Sequence, residues 1–312
     1  MKRLTFAFTL FVCCVATSAT DLPKRPHIFG IAYVRILVTN VDKAKDFYSL
    51  VLHSIPISND ANAPCNWCER VPVTLVTTKK WLGPIELKTV HIHDSPTLLS
   101  EVAFWTDDVK RLRDLLLKNH IAAAKITQCG EDPCFSTSDP ESHRLVFVQK
   151  VDHPAVPIPG AYASPTISSP ILHAGFVVHD RAAEDRFYKD ILGFHVYWHG
   201  GMKDDETNWV DMQVPDGTDW IEYMLNVPAN ADHHTLGVMN HIALGVPDIK
   251  AAREQLIKNG WKPGEEPKIG RDGKWQLNLY DPDDTRVELM EFTPTQKPCC
   301  SEYTGPHPGP KP

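Results

Sequence analysis

Two histidines and two glutamates in the second half of the chain are the residues best suited to chemistry. His173 and His241 each lie in a short apolar segment typical of a β-strand, and Glu222 and Glu288 lie in later segments of the same kind. Burying four such groups without partners is costly, whereas one divalent cation satisfies all of them together. Mixed nitrogen and oxygen ligands suit Ni, Zn, Mn, Fe or Co. These residues therefore predict a site for one divalent metal ion, whose identity stays open.

The alternation of side chains along a strand predicts where these groups point, because successive residues face opposite sides of a sheet. Glu222 shares a face with the large residues Trp220 and Met224. His241 shares its face with Ala243, a small residue that leaves room beside the imidazole. Both patterns favour side chains that point inward from the sheet.

The elements that position these residues belong to an internal repeat. A shift of 140 residues superimposes Phe47-Tyr48 on Phe187-Tyr188, and it also superimposes a second group of residues that is distant from the first. The second group is Ala103, Asp108, Lys110, Arg113, Leu116, Lys118 and Asn119, which match Ala243, Asp248, Lys250, Arg253, Leu256, Lys258 and Asn259. One offset that serves two separated segments indicates that the halves are duplicated units.

Each half divides again into two smaller units. A shift of 68 residues moves His173 onto His241 and Asp180 onto Asp248, and each of these aspartates is suited to cap a helix. Gly193 predicts the end of the first of these helices. Shorter strand-like runs follow each helix. The pattern predicts an α+β fold made of four βαβββ modules, two in each half.

The segments outside the modules have compositions of their own. Residues 1–19 carry a basic start, an apolar run and small residues, which predicts a removable signal peptide and a secreted or periplasmic protein. The proline-rich segment 151–169 predicts a linker between a domain at 28–150 and a domain at 170–293. Residues 294–312 are also rich in proline and predict a tail.

Composition and charge limit the classes of partner. Apolar residues make up 42% of the sequence and charged residues 23%, which favours a globular protein. A net charge of −7 argues against a broad nucleic-acid or anionic-membrane surface. We therefore expect a small-molecule substrate, no nucleic acid, and no membrane contact beyond the signal peptide. The oligomeric state stays open.

Six cysteines follow the predicted signal peptide, and they lie in three close pairs. Such spacing in an oxidising compartment predicts disulfides more than metal ligands, although the connectivity stays open. The close pairs are Cys65 with Cys68, Cys129 with Cys134, and Cys299 with Cys300.

The sequence resembles the vicinal oxygen chelate superfamily, which includes glyoxalases, bleomycin-resistance proteins and extradiol dioxygenases. The segments that carry the resemblance are FYKDILGF at 187–194, NHIALGV at 240–246 and DPDDTRVEL at 281–289. The resemblance is strong over 170–292 and weaker over 28–150. It implies that each half forms one glyoxalase-like pseudo-barrel from two βαβββ modules, with a metal in its bowl.

Carried onto this chain, the resemblance implies that the metal ligands are His173, Glu222, His241 and Glu288. Their order and spacing are similar to the His/Glu/His/Glu arrangement of glyoxalase I. We therefore expect the domain at 170–293 to hold the metal site.

The first half departs from this ligand pattern. By the same alignment Tyr33 takes the place of the first histidine, and Val146 falls near the place of the last glutamate. Only Glu86 and Glu101 remain as oxygen ligands. We therefore expect a degenerate domain that has lost metal binding and serves as a scaffold.

The resemblance and the four ligands together favour a lyase or isomerase of glyoxalase type. In such an enzyme the metal holds two vicinal oxygens of a small substrate and stabilises an enediolate. Glu288 or Glu222 would move the proton as general base. The substrate itself stays open.

Two alternatives remain. An extradiol-type ring-cleaving dioxygenase would use His173, His241 and Glu288 as a 2-His-1-carboxylate Fe(II) site, and four modules are the usual plan of those enzymes. Against it, Glu222 would be an unneeded inward carboxylate, and the stretch before the last ligand strand lacks the histidine that the family motif expects. A metal-binding resistance or sequestration protein is the other alternative, although four intact ligands argue against pure sequestration.

Overall fold

The structure of the chain is a computed structural model. It describes residues 25–51, 71–73, 76–77, 80–81, 85–89, 98–151, 167 and 170–310. The predicted signal peptide, the pair Cys65 and Cys68, and most of the predicted linker lie outside these residues. Among the helices of the described ranges, none combines the length and the apolar character needed to cross a membrane.

The described residues of the first half form a seven-stranded sheet, a separate two-stranded sheet and two helical segments. Its first unit contains β1 (Ile28–Val38), α1 (Val41–Lys45, continued by a π-helical turn at Asp46–Val51), β2 (Val71–Val73), β3 (Val76–Thr77), β4 (Lys80–Trp81) and β5 (Ile85–Thr89). Its second unit contains β6 (Leu99–Thr106), α2 (Val109–Lys118), β7 (Thr127–Cys129), β8 (Asp132–Ser138) and β9 (Arg144–Gln149). The sheet order is β2-β5-β1-β6-β9-β8-β7, and β3 pairs with β4.

The second half repeats this plan. Its first unit contains β10 (Ile171–Val177), α3 (Arg181–Asp185, continued by a π-helical turn at Arg186–Ile191), β11 (His195–Gly200), β12 (Trp209–Gln213) and β13 (Trp220–Met224). A connecting helix, α4 (His233–Met239), leads to β14 (His241–Val246), α5 (Ile249–Lys258), β15 (Lys268–Ile269), β16 (Trp275–Tyr280) and β17 (Arg286–Glu291). The sheet order is β11-β12-β13-β10-β14-β17-β16-β15, so the first strands of the two units pair at its centre. The predicted α+β fold class is confirmed.

Local sequence explains where the helices begin and end. The Asp248 carboxylate accepts hydrogen bonds from the backbone amides of Lys250 and Ala251, which starts α5 at the predicted cap. The chain leaves this helix through Gly260, whose φ of +97° is one that glycine adopts without a steric penalty. A helix of this length is marginal alone, so its buried side chains stabilise it by packing. Those side chains are Ile249, Ala252 and Leu256.

The two halves are joined by a reciprocal pair of hydrogen bonds. The Tyr48 hydroxyl donates to Asp281 Oδ2 across 3.0 Å, and the Tyr188 hydroxyl donates to Asp139 Oδ2 across the same distance. Each tyrosine lies in the π-helical turn of one half, and each aspartate lies in the turn before the last strand of the other half. The repeat therefore produces two junctions related by pseudo-twofold symmetry.

The same turns also cap the helices of the opposite half. Glu141 accepts hydrogen bonds from the backbone amides of His179 and Asp180, both at 2.6 Å. At the other junction Asp283 accepts a hydrogen bond from the backbone amide of Thr39 at 2.8 Å. Backbone amides near the start of a helix lack partners within it, so these contacts stabilise the helix and the interface together.

Tyr188→Phe should destabilise the protein by about 1–3 kcal/mol, because it leaves the buried Asp139 carboxylate without one of its donors. Tyr48→Phe should act similarly at the other junction. The matched control is Tyr280→Phe, whose hydroxyl donates to Glu265 at the exposed edge of β16, and it should cost less than about 0.5 kcal/mol. Urea unfolding of the three variants measures the difference, and equal costs for all three would contradict it.

Candidate metal centre

Four neighbouring strands bring the predicted ligands together. Strands β13, β10, β14 and β17 lie side by side in the sheet, and each contributes one residue. Glu222 comes from β13, His173 from β10, His241 from β14 and Glu288 from β17. The strand pairing places Gly175 opposite His241, where a residue without a side chain leaves space for the imidazole.

The nitrogen and oxygen atoms of these side chains converge on one point. Nε2 of His173 and Nε2 of His241 are 3.0 Å apart. Glu222 Oε2 lies 3.1 Å from His241 Nε2 and 3.6 Å from His173 Nε2. Glu288 Oε2 lies 3.8 Å and 3.9 Å from the same two nitrogens. Ligands about 2.0–2.2 Å from one cation are themselves about 3–4 Å apart, so the four groups have the size of a coordination shell.

Both imidazoles are in the protonation state that binds metals. Burial lowers the pKa of His173 and the pKa of His241 well below the ordinary value, which keeps the rings neutral. Nδ1 of His241 lies 2.9 Å from the carbonyl oxygen of Met239. That contact holds the proton on Nδ1 and leaves the lone pair on Nε2, toward the other ligands. Nδ1 of His173 is buried without a hydrogen-bond partner.

Glu288 needs a nearby cation to remain charged. Burial raises the pKa of Glu288 to about 8, and the nearby guanidinium of Arg286 only partly offsets this effect. The same guanidinium donates to His241 Nε2 across 2.7 Å, so the point of convergence attracts a positive group. Among the described residues, His173, His241 and Glu288 offer ligand atoms that all lie within 4.8 Å of one another. The donor set therefore fits a divalent cation with mixed nitrogen and oxygen ligands.

One known protein family matches the segment that contains the candidate ligands. The model of the family described as the Glyoxalase/Bleomycin resistance protein/Dioxygenase superfamily matches residues 170–289. The match lies in the second half of the chain. The matched residues run from the start of the domain through Glu288 and include all four candidate ligands. No curated protein was found to match the chain.

Solved structures of two dioxygenases resemble the chain over both halves. Homoprotocatechuate 2,3-dioxygenase from Brevibacterium fuscum, in complex with 3,4-dihydroxyphenylacetate, is 19% identical with a TM-score of 0.62, covering 90% of this chain and 83% of that chain. The enzyme of the same name from Arthrobacter globiformis is 16% identical with a TM-score of 0.62, covering 86% and 82%. At these identities the likeness shows the fold alone.

Gly175 is the residue that leaves room in this domain for the His241 ring. A Cβ at position 175 would lie 2.2 Å from Cε1 of His241, so Gly175→Ala must displace the ring. We expect zinc affinity to fall by about 10–100-fold, the usual cost of disturbing the support of a ligand. Gly264→Ala is the control, because no atom lies within 4 Å of its Cβ. Competition with a chromogenic chelator measures both, and equal affinities would contradict the prediction.

The sequence pattern did not indicate three charged residues that lie buried beside the centre. Lys274 is fully buried, and its Nζ lies 4.6 Å from the ring centroid of Trp220, whose ring lies 4.9 Å from that of His173. Asp211 and Asp272 attract this ammonium electrostatically. The sequence offers one signal for this cluster, the charged Asp211 inside an apolar strand. That signal does not reveal which residue Asp211 pairs with. These residues extend the polar interior of the barrel beyond the ligands.

The predicted tail packs against this side of the domain. The Tyr303 hydroxyl donates to the carbonyl oxygen of Asp272 across 2.8 Å, and its ring lies 5.2 Å from Nζ of Lys274. The Trp198 indole donates to the carbonyl oxygen of Cys299 across 3.1 Å. The tail therefore adds a third aromatic ring, after Trp220 and Tyr197, around the buried ammonium.

Two of the three predicted cysteine pairs lie among the described residues. Both form disulfides within the pair: Cys129 with Cys134, and Cys299 with Cys300. The first links β7 to β8, and the second lies within the tail.

The first half carries a salt-bridge cluster at the corresponding place. The Tyr33 hydroxyl donates to Glu101 Oε1 across 2.9 Å. Arg35 and Arg144 lie 2.7 Å and 2.6 Å from Glu101 Oε2. Glu86 lies on β5, opposite Arg35 in the strand register. Guanidinium groups thus supply, beside the buried Glu101, the positive charge that a cation would supply in the second half.

Proposed function

We propose that the second half is the catalytic domain of a metal-dependent enzyme that moves a proton on a small substrate with two vicinal oxygens, as glyoxalase-type lyases and isomerases do. The observation that carries the proposal is the approach of Glu222 Oε2 to within 3.1 Å and 3.6 Å of the two histidine Nε2 atoms. Proton transfer needs a general base at the place where the substrate binds, beside the groups that hold the cation, and a carboxylate can act as that base.

Exposure and geometry divide the roles among the four residues. His173, His241 and Glu288 form the compact set, and each side chain is at most 5% exposed, so they hold the cation. The Glu222 side chain is 13% exposed, so it is the carboxylate that a substrate reaches, and it accepts the proton. The cation, when bound, supplies Lewis-acid stabilisation of negative charge on two substrate oxygens.

A second candidate function is an extradiol-type dioxygenase. His173, His241 and Glu288 alone make the 2-His-1-carboxylate arrangement that suits Fe(II). The similarity to homoprotocatechuate 2,3-dioxygenases over both halves also supports this candidate. In that case Glu222 would contribute neither a required ligand nor the proton acceptor of an isomerisation.

Glu222→Gln and Glu288→Gln distinguish the two candidates. The protein is loaded with Ni²⁺ or Zn²⁺, and deuterium uptake into dihydroxyacetone and glycolaldehyde is followed by NMR in D₂O. We expect Glu222→Gln to retain its metal while the exchange rate falls by about 10²–10⁴-fold, the usual contribution of a general base. Glu288→Gln should lose metal and exchange together. Glu266→Gln, at an exposed surface ion pair, is the control and should match the wild type.

Oxygen uptake by the Fe(II)-loaded protein tests the dioxygenase candidate. The probes are catechol and 3,4-dihydroxyphenylacetate. Ring cleavage that persists in Glu222→Gln, together with no deuterium exchange in the wild type, would overturn the proton-transfer proposal in favour of the dioxygenase.

We also propose that the protein works in an oxidising compartment outside the cytoplasm. The basic and apolar start of the sequence supports export, and two disulfides are typical of such compartments. Cell fractionation with detection of the mature N-terminus tests this, and an uncleaved cytoplasmic protein would contradict it.

A further inference from the structure

A second group of metal-ligating side chains lies at the junction of the two halves. Asp139 and His143 belong to the turn between β8 and β9, and Glu184 belongs to α3. Asp139 is 5% exposed and Glu184 is fully buried. His143 Nδ1 lies 2.7 Å from Asp139 Oδ2, and the ligand atoms of the three residues all lie within 4.8 Å of one another. One imidazole and two carboxylates from opposite halves therefore converge.

One oxygen in this group lacks a partner. Glu184 Oε1 accepts a hydrogen bond from the backbone amide of Glu141 across 3.0 Å, but Glu184 Oε2 is buried without any hydrogen bond. Burial, together with the charge of Asp139, raises the pKa of Glu184 to about 8. A buried carboxylate oxygen beside a second carboxylate needs a proton or a cation.

The pseudo-symmetric junction shows that the architecture does not require these groups. There Tyr48 and Asp281 form the same tyrosine–aspartate bond, and Asp281 makes the same backbone contacts with Thr285 that Asp139 makes with His143. These backbone contacts place Thr285 where His143 lies, and the shift of 140 residues places Ala44 where Glu184 lies. The histidine and the second carboxylate are therefore additions to one junction only.

We propose that Asp139, His143 and Glu184 bind a second divalent cation, of the Zn²⁺ class, which links the two halves of the chain. One imidazole nitrogen and two carboxylate oxygens are a typical three-residue set for zinc. The Tyr188 hydroxyl donates to Asp139 across 3.0 Å and orients this ligand, as outer groups do at metal sites. The site lies apart from the four-residue centre and does not depend on the function proposed for that centre.

Counting bound zinc tests the proposal. Metal-free full-length protein is loaded with ZnCl₂, passed through a gel-filtration column, and analysed for zinc per chain. We expect two equivalents for the wild type, one for Glu184→Gln and one for His143→Ala. The double variant H173A/H241A should also keep one equivalent, and adding H143A to it should leave none. Thr285→Ala, at the matching position of the other junction, should retain two.

The thermal midpoint provides a second readout. Zinc should raise the unfolding temperature of H173A/H241A, and it should not raise that of the triple variant. An unchanged zinc count in both Glu184→Gln and His143→Ala would overturn the proposal and would mean that a proton satisfies Glu184. If Glu184→Gln fails to fold, His143→Ala decides, because the His143 ring is partly exposed and Asp139 keeps its hydrogen bond from the Tyr188 hydroxyl.

Discussion

His241→Ala should cost the protein one equivalent of bound metal. Nε2 of His241 lies 3.0 Å from His173 Nε2 and 3.1 Å from Glu222 Oε2. Removing the imidazole therefore removes a candidate ligand that lies close to two others. Disturbing an outer group at a metal site costs up to about 100-fold in affinity, and removing a direct ligand should cost more. We therefore expect affinity for Zn²⁺ to fall by more than about 100-fold, together with any deuterium exchange into dihydroxyacetone.

His234→Ala is the matched control for this loss. His234 lies on α4, its side chain is 65% exposed, and Nδ1 lies 3.3 Å from Asp284. The His234→Ala variant should match the wild type in zinc affinity, measured by titration, and in zinc content, measured after gel filtration. If His241→Ala retains the wild-type zinc count and affinity, the four-residue centre is not a metal site.

Lys274→Met should destabilise the protein by about 3–5 kcal/mol near pH 8, the usual cost of removing one member of a buried charge cluster. The ammonium is fully buried and attracts Asp211 and Asp272, and methionine keeps a similar shape without the charge. The two aspartates would then be buried without their compensating cation. Urea unfolding at fixed pH measures the loss.

The stability lost in Lys274→Met should become smaller as the pH falls. Burial raises the pKa of Asp272 to about 6 and raises the pKa of Asp211 well above the ordinary value, although Lys274 acts against both shifts. Without the ammonium both values must rise further. An acid whose pKa is higher in the folded state gains stability as the pH falls through that pKa, because the folded form binds more protons. The variant should therefore recover much of its stability near pH 5.

Lys268→Met is the control, because it removes a lysine that lies outside the buried charge cluster. Lys268 is 61% exposed and lies 3.8 Å from Glu265, so its replacement should cost less than about 0.5 kcal/mol at either pH. A cost for Lys274→Met that is as small, or that does not change with pH, would show that the buried ammonium does not stabilise the two aspartates.

Neighbouring residues in the chain are enough to predict the repeat, the helix limits and the strands that carry the candidate ligands. Each of these depends on neighbours in the chain: a cap such as Asp248 acts on amides two or three residues away, and alternation directs Glu222 inward from its own strand. The same offset that matched Phe47-Tyr48 to Phe187-Tyr188 placed the two tyrosines at equivalent junctions. The sequence pattern did not predict helix α4.

Contacts between residues that are distant in the chain depend on how the folded elements pack. The pairing of Tyr188 with Asp139, the cluster of Glu184 with His143, and the enclosure of Lys274 by rings from two strands and the tail all join residues far apart in the chain. A residue's type and local periodicity indicate that it is buried, but its partner depends on how the sheets pack. The sequence could therefore predict four ligands on four strands, whereas the charges beside them and the second cluster between the halves followed from the fold.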